Sequence, residues 1–332
     1  MGHLLLWGSL TLAILLGSAY YVSLYMPGHS YVGTLSPLSA DAMTVRNHLA
    51  QHVQALAGKI GERHLWRPAA LDQAVRYIEA TWHGQGYRVA RQPFVVAGQT
   101  VYNLEVESPG SARRDEIVLV GAHYDTVPGS PGANDNATGT AAVLELARLL
   151  VGQQLPRTVR FVAFVNEEAP FFQHDTMGSW LYARRARARG EQIVAMFSIE
   201  TIGYYADAAG SQHYPFPFGL FYPRIGNFIG FVGNIASRAL VQRSLAAFRQ
   251  HTAFPSEGVA APGSMTGIGW SDHWAFWQEG YPALMVTDTA LFRYTPYHTR
   301  NDTPEQINYD RMARVVTGLA YVVTTLAGAT GP

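Results

Sequence analysis

No cysteine occurs in the 332 residues. That absence removes disulfides, thiolate metal ligands, a cysteine nucleophile and a lipid anchor on cysteine. A transition metal in this chain must be held by His, Asp and Glu, and twelve histidines make that possible. Charge is also scarce, at 14% of residues, and it balances to a formal net charge of zero. A nucleic-acid binder presents a basic face, so the balance argues against nucleic acid as a partner. Lys and Arg are missing altogether before Arg46. The positive-inside rule has little to count there, and it leaves the orientation of the N-terminus open. Internal repeats and low-complexity tracts are absent as well. What the chain does hold is apolar residues, 48% of the total. That suffices for a large core and argues against disorder. The length suits one large domain or two ordinary ones.

Residues 4 to 26 carry no charge over 23 positions. About 20 apolar residues span a bilayer as a helix, so this stretch reads as a transmembrane anchor. Tyr20, Tyr21 and Tyr25 would suit the membrane interface. A cleaved signal peptide is the alternative, because Gly17-Ser18-Ala19 resembles a small-residue cleavage site. A membrane-anchored chain with its catalytic part outside the cytoplasm is the expectation, and secretion after cleavage is the other outcome. Residues 27 to 40 read as a linker.

From residue 41 to about 330 the chain reads as one domain. Helical spacing covers 41–58, 68–84, 139–151, 179–190, 235–252 and 309–327. Strands are expected at 87–95, 100–108, 116–124, 158–166, 192–200 and 281–288. Strands alternating with helices indicate an α/β fold with a largely parallel sheet. Residues 204 to 234, rich in Gly, Pro, Phe and Tyr, read as an elaborated loop or lid. The C-terminal helix is apolar, but Arg311 and Arg314 and its modest length favour core packing over a second span.

The chemistry gathers at strand ends. The strand EIVLVGAHYD carries His123 and Asp125 two apart, hence on one face. A Gly- and Pro-rich loop then delivers Asp135 just before a helix. The strand FVAFVNEE ends in Glu167 and Glu168, where adjacent ionised carboxylates are costly to bury without partners or a metal. SIE ends at Glu200, and His298 lies in the loop after the last strand. In open α/β sheets ligands bind beyond the carboxyl ends of strands, so these positions point to one place. Two histidines and three carboxylates without sulfur suit a divalent ion such as zinc. With one bridging carboxylate they can hold two metals about 3.5–4 Å apart. One glutamate of the 167–168 pair could take the proton of an attacking water while the other binds metal.

These motifs resemble those of the M28 family of zinc peptidases, which includes bacterial aminopeptidases and glutamate carboxypeptidases. The likeness covers about residues 40 to 325. It rests on GAHYDTVPGSPGANDNATGTAAVLELAR, the NEE at 166–168, SIETIGYY, SDHWAFW and YHTRNDT. It implies the phosphorylase/hydrolase-like fold of zinc exopeptidases, a mixed, mostly parallel twisted sheet flanked by helices. It also implies two zinc ions and a peptide substrate. By resemblance, His123 and Glu200 hold one zinc, Glu168 and His298 hold the other, and Asp135 bridges both. Glu167 looks like the general base, Asp125 would orient His123, and Tyr297 could donate to the developing oxyanion. Asp272 and His273 would support the ligands or line the substrate pocket. Two departures stand out. Position 200 is most often Asp in the family and is Glu here. The segment between Glu168 and Gly178 is longer than in most aminopeptidase members and is similar to the glutaminyl cyclase branch, which uses one zinc for an intramolecular cyclisation. A cyclase is therefore the alternative enzyme. A non-catalytic ectodomain is the alternative of another class.

Overall fold

Residues 113–123 explain the layering. Ile117 and Leu119 enter one apolar cluster, while Val118, Val120 and Ala122 enter another. A strand buried on both faces needs helices on both sides of its sheet. The computed structural model of the chain describes residues 23–328, together with Gly17 and Tyr21. Its strands are β1 (Ala90–Val96), β2 (Gln99–Ser108), β3 (Arg113–His123), β4 (Arg157–Phe164), β5 (Gln192–Glu200), β6 (Ile229–Asn234), β7 (Ser256–Ala261) and β8 (Ala283–Thr287). Its α-helices are α1 (Ala40–Val53), α2 (Pro68–Gly84), α3 (Gly139–Leu150), α4 (Gly178–Ala188), α5 (Arg238–His251), α6 (His273–Gln278) and α7 (Tyr309–Leu326).

The strands form one sheet in the order β1-β2-β4-β3-β5-β8-β6-β7. The central strands β4, β3, β5 and β8 run parallel, and β1, β2 and the β6–β8 pairing make the sheet mixed. One face packs on α1, α2, α3, α5 and α7, with Leu49, Trp82, Leu144, Phe248 and Leu319 in its core. The other face packs on α4 and α6 through Tyr182, Ala186 and Phe276. The result is the expected α/β architecture. Because β3, β4, β5 and β8 share a direction, their carboxyl ends open on one edge of the sheet.

Several expectations change in detail. The segment 204–234 does not stay a loop to its end. Its last six residues are β6, held between β8 and β7. Two glycines hide this strand, since glycine weakens a strand in isolation. Here they are needed: a Cβ on Gly233 would stand 2.6 Å from a methyl of Val241 on α5. Strand β7 and helix α6, six residues each, are too short for a periodic signal and were not expected. The first helix stops at Val53, and the chain continues in a wider π-type turn from Gln54 to Ile60. The C-terminal helix packs in the core, with Met312, Val316, Leu319 and Val323 buried.

Among the described residues no helix is long and apolar enough to cross a membrane. Most of the expected span at 4–26 lies outside the described residues. The expected linker at 27–40 is tied to the domain. Arg249 of α5 donates to the carbonyls of Pro27 and Gly28, at 2.9 and 3.1 Å. The amide of Ser256 donates to Ser30 Oγ at 2.9 Å.

Candidate metal centre

The shared edge gathers the polar residues that end the central strands. His123 closes β3 and Glu200 closes β5. Glu167 and Glu168 follow β4 after a short turn in which Asn166 is left-handed, at φ 58°. Thr201, just past Glu200, and His298 itself are left-handed too, at φ 48° and 59°. Non-glycine residues rarely adopt this conformation, and where they do the surroundings enforce it, often at functional sites. Asp135 arrives on the loop before α3. Gly132, at φ 62°, starts that approach, and a Cβ there would stand 2.4 Å from the Asp135 carbonyl.

The expected residues converge. His123 Nε2 lies 3.3 Å from Asp135 Oδ1 and 3.2 Å from Glu200 Oε2. His298 Nε2 lies 2.9 Å from Asp135 Oδ2 and 3.3 Å from Glu168 Oε2. The five side chains thus form two triads, each able to hold a metal ion, with Asp135 common to both. Glu167 Oε2 reaches to 3.9 Å from His123 Nε2 without joining either triad. Asp125 stands behind them. Its carboxylate accepts the amides of Glu167 and Glu168, each at 3.3 Å, and lies 3.6 Å from His123 Nδ1. It therefore fixes the turn that carries both glutamates as well as facing the histidine. Tyr297 stacks on the His298 ring at 3.8 Å between centroids.

The two SDHW positions part company. Asp272 is buried with no hydrogen-bond partner for its carboxylate, and burial lifts it to about 7, with the charges of Asp125 and Glu168 adding. It belongs to the electrostatic surroundings of the centre. His273 does not. Its Nε2 pairs with the Ile268 carbonyl at 2.7 Å and its ring packs edge-on against Trp277. Those contacts tie the loop before α6 to its first turn, and His273 is in neither metal-binding triad nor on the wall of the adjacent cavity.

A further ring of residues went unread in the sequence. Asp302 accepts the amides of Asn134 and Asp135, at 2.7 and 3.0 Å, and the hydroxyl of Tyr294. Asn136 donates to the Ile199 carbonyl at 2.8 Å and to Glu200 at 3.3 Å, and accepts from the amides of Gly139 and Thr201. Ser271 donates to Glu200 at 2.8 Å. Arg63 is fully buried and donates to the carbonyls of Leu56, Gly61, Tyr124, Pro131 and Gly132. Burial lowers it to about 10, and the carboxylates of Asp125, Asp302 and Asp135 act the other way, so it stays a cation near neutrality beneath the acidic cluster. No local pattern marks these residues, because each partner lies far away in sequence.

The titration behaviour is that of too many like charges in one place. Burial raises Glu168 and Glu200 to about 7, and Asp135 adds to both. Burial also pushes Glu167 well above the usual carboxylate range, helped by Glu168, Glu200 and Asp272. Asp135 goes the other way: the neighbouring imidazoles of His123 and His298 outweigh burial and hold it low. Burial alone would lower His298, but Asp135 and Glu168 lift it to about 10. Protons collect on the cluster to neutralise it. A divalent cation does the same work, and two buried oxygens, Asp135 Oδ1 and Glu168 Oε1, have no hydrogen-bond partner. Two histidines and three carboxylates fit such an ion, zinc included.

A cavity of about 120 Å³ opens beside the cluster. Glu200, Thr201 and Tyr297 form the wall it shares with the centre, and its far wall is apolar, with Phe218, Val232, Val259 and Met285. Glu257 is the other acidic residue on it, and no Arg or Lys lines it among the described residues.

Known proteins fit this picture. Residues 103–323 match peptidase family M28. The chain is 39% identical over 259 residues to the uncharacterised protein YfbL of Escherichia coli K12, across 75% of this chain and 78% of that one. In fold it is similar to BSAP, a zinc aminopeptidase from Bacillus subtilis, with a TM-score of 0.69 at 17% identity over 85% of this chain and 95% of that one. It is also similar in fold to a glutaminyl cyclase from Fimbriiglobus ruber, with a TM-score of 0.63 at 20% identity over 89% and 97%. With the family match spanning most of the chain and the histidines and carboxylates gathered at its strand ends, the protein belongs to peptidase family M28.

Proposed function

We propose that this protein is a zinc-dependent aminopeptidase whose centre holds two ions, with Asp135 shared between them. The observation that carries the proposal is the pair of His/carboxylate triads meeting at Asp135, with Glu167 beside them and outside both. His123 and Glu200 would hold one ion, and Glu168 and His298 the other. Bound there, zinc supplies a Lewis acid that polarises the scissile carbonyl and makes water a competent nucleophile near neutral pH. Glu167 takes the proton of the attacking water and passes it to the leaving amine. Asp125 keeps Glu167 and Glu168 in register through their amides. Tyr297 keeps its proton, because burial and the neighbouring carboxylates raise its pKa, and its hydroxyl donates to the oxygen on which charge develops.

Charge selects the end of the peptide. Of the acidic residues on the cavity wall, Glu200 is committed to a metal ion and Glu257 lies 3.9 Å from Arg249. With no Arg or Lys lining the cavity among the described residues, the wall disfavours a substrate's free carboxylate. An apolar N-terminal side chain fits the remaining wall. We place the catalytic domain outside the cytoplasm, anchored in the membrane by residues 4–26.

Glu167→Gln tests the role of the base. Turnover of aminoacyl substrates should fall by about 10²–10⁴-fold, while bound metal stays at the wild-type amount. Persistent turnover would defeat the assignment. A second reading, ring closure of an N-terminal glutamine, has behind it the long 169–177 segment and the fold shared with a cyclase. Release of free amino acids from peptides, against loss of an N-terminal glutamine without release, separates the two. A non-catalytic ectodomain would turn over neither, and the presence of every ligand position argues against it.

A further inference from the structure

We infer that the catalytic domain rests on a phospholipid bilayer through the turn at residues 215–221, so that the cavity beside the centre opens at the membrane surface. The inference rests on the anchoring part of the proposed function and goes beyond it. The turn exposes Phe216 at 87% and Leu220 at 72%. Large apolar side chains displayed together on a projecting turn mark an interaction surface. The turn is not loose. Phe218, between them, is turned inward and packs with Val232, Val259 and Met285. Phe216 and Leu220 therefore project from a fixed base.

The place where the uncharged stretch joins the domain identifies the occupant. Leu24, near the end of the 4–26 stretch, packs against the same cluster as Phe218. Arg238, at the start of α5, donates to the Tyr21 carbonyl at 2.9 Å and lies 5.0 Å from its ring centroid. Gln242, one turn further on, donates to the Tyr25 carbonyl at 3.1 Å. Tyr21 and Tyr25 stack on each other at 5.3 Å. Tyrosine and arginine at the end of an apolar stretch are the residues of a membrane–water interface. A stretch that spans a bilayer thus holds this corner of the domain at the lipid headgroups. Phe216 and Leu220 share that corner, and they are suited to the boundary between headgroups and acyl chains. Pro215 and Phe218 also form part of the cavity wall, and the partly exposed Trp270 and Leu291 stand at its mouth. Substrates that partition into the membrane, such as peptides with an apolar N-terminal part, then reach the cavity along the surface.

The lack of cysteine makes the test clean. Single variants Phe216→Cys, Leu220→Cys, Asp72→Cys and Leu12→Cys of the full chain are labelled with a thiol-reactive fluorophore. They are reconstituted in vesicles of phosphatidylethanolamine and phosphatidylglycerol, with and without brominated acyl chains. Asp72, on α2, is the exposed control, and Leu12 reports on the anchor. The expected result is quenching at 216 and 220 about twofold or more above that at 72, together with quenching at 12. Quenching at 12 alone would keep the anchor and overturn the docked turn. No quenching at 12, 216 or 220 would remove the anchor and the docking together. Quenching at 216 and 220 but not at 12 would support docking and overturn the anchor.

Discussion

Arg63 shows how much of this centre is decided away from the ligands. Its guanidinium joins the π-type turn after α1 to the loop that carries Asp125 and Asp135. Lysine has three donors on a flexible stem in place of a planar fork, so it cannot reproduce that set of bonds. Arg63→Lys should destabilise the fold by about 2–4 kcal/mol, because several buried carbonyls lose their partner. It should also weaken metal binding. Urea unfolding and metal titration measure the two effects, and an unchanged metal affinity would confine Arg63 to stability alone. At this scale the sequence was readable where the environment was wrong for the residue. His123, Glu167, Glu168 and Glu200 stood out as polar groups ending apolar strands. Asp302, Asn136 and Arg63 did not, because an exposed loop and a buried one look alike until the fold brings their partners together. Asp272 and His273 show the same limit, since adjacency in sequence does not say which partners two neighbouring side chains find at a helix start.

Among the elements, those with a strong period were legible and the compact ones were not. The central strands, α2 and α7 lie close to where their apolar spacing put them, since each must bury one face or two. β6 escaped notice because its two glycines serve a neighbour, α5, that sequence spacing does not reveal. The same logic gives a test on α7. A Cβ on Gly318 would stand 2.4 Å from Thr252 Oγ1 and 2.5 Å from the buried Phe248 ring. Alanine gains about 1 kcal/mol of helix propensity over glycine. Forcing a methyl into that contact costs about 1–3 kcal/mol. The ring has no room to retreat, so Gly318→Ala should lower the melting temperature even though it improves the helix as a helix. A rise would mean that α5 and α7 separate more easily than their packing indicates.

For the whole molecule the acidic cluster couples stability to metal and pH. Without a cation, Glu168 and Glu200 titrate at about 7 in the fold against 4.5 when unfolded, and His298 at about 10 against 6.5. In each case the folded state holds a proton that the unfolded chain has already released. Stability from these groups is therefore full below their unfolded values and is lost as pH rises toward 7 for the glutamates and 10 for the histidine. Chelated protein should lose stability between about pH 5 and 9. Metal-loaded protein should be spared, because a metal binds the deprotonated ligands and its affinity rises with pH. Thermal melts across that range, with and without chelator, measure the divergence. Parallel curves would show that the cluster does not bind the ion.

The tether at Ser30 has a practical consequence. β7 is the outermost strand on its side of the sheet, and the amide of Ser256 at its start is satisfied by a residue that lies just after the uncharged stretch at 4–26. Trimming the chain behind that point to obtain a detergent-free preparation would strip the strand of its guard, and bare strand margins recruit one another. A shortened form should begin near residue 27 rather than at the first predicted helix, or clumping in the tube will be mistaken for a property of the enzyme.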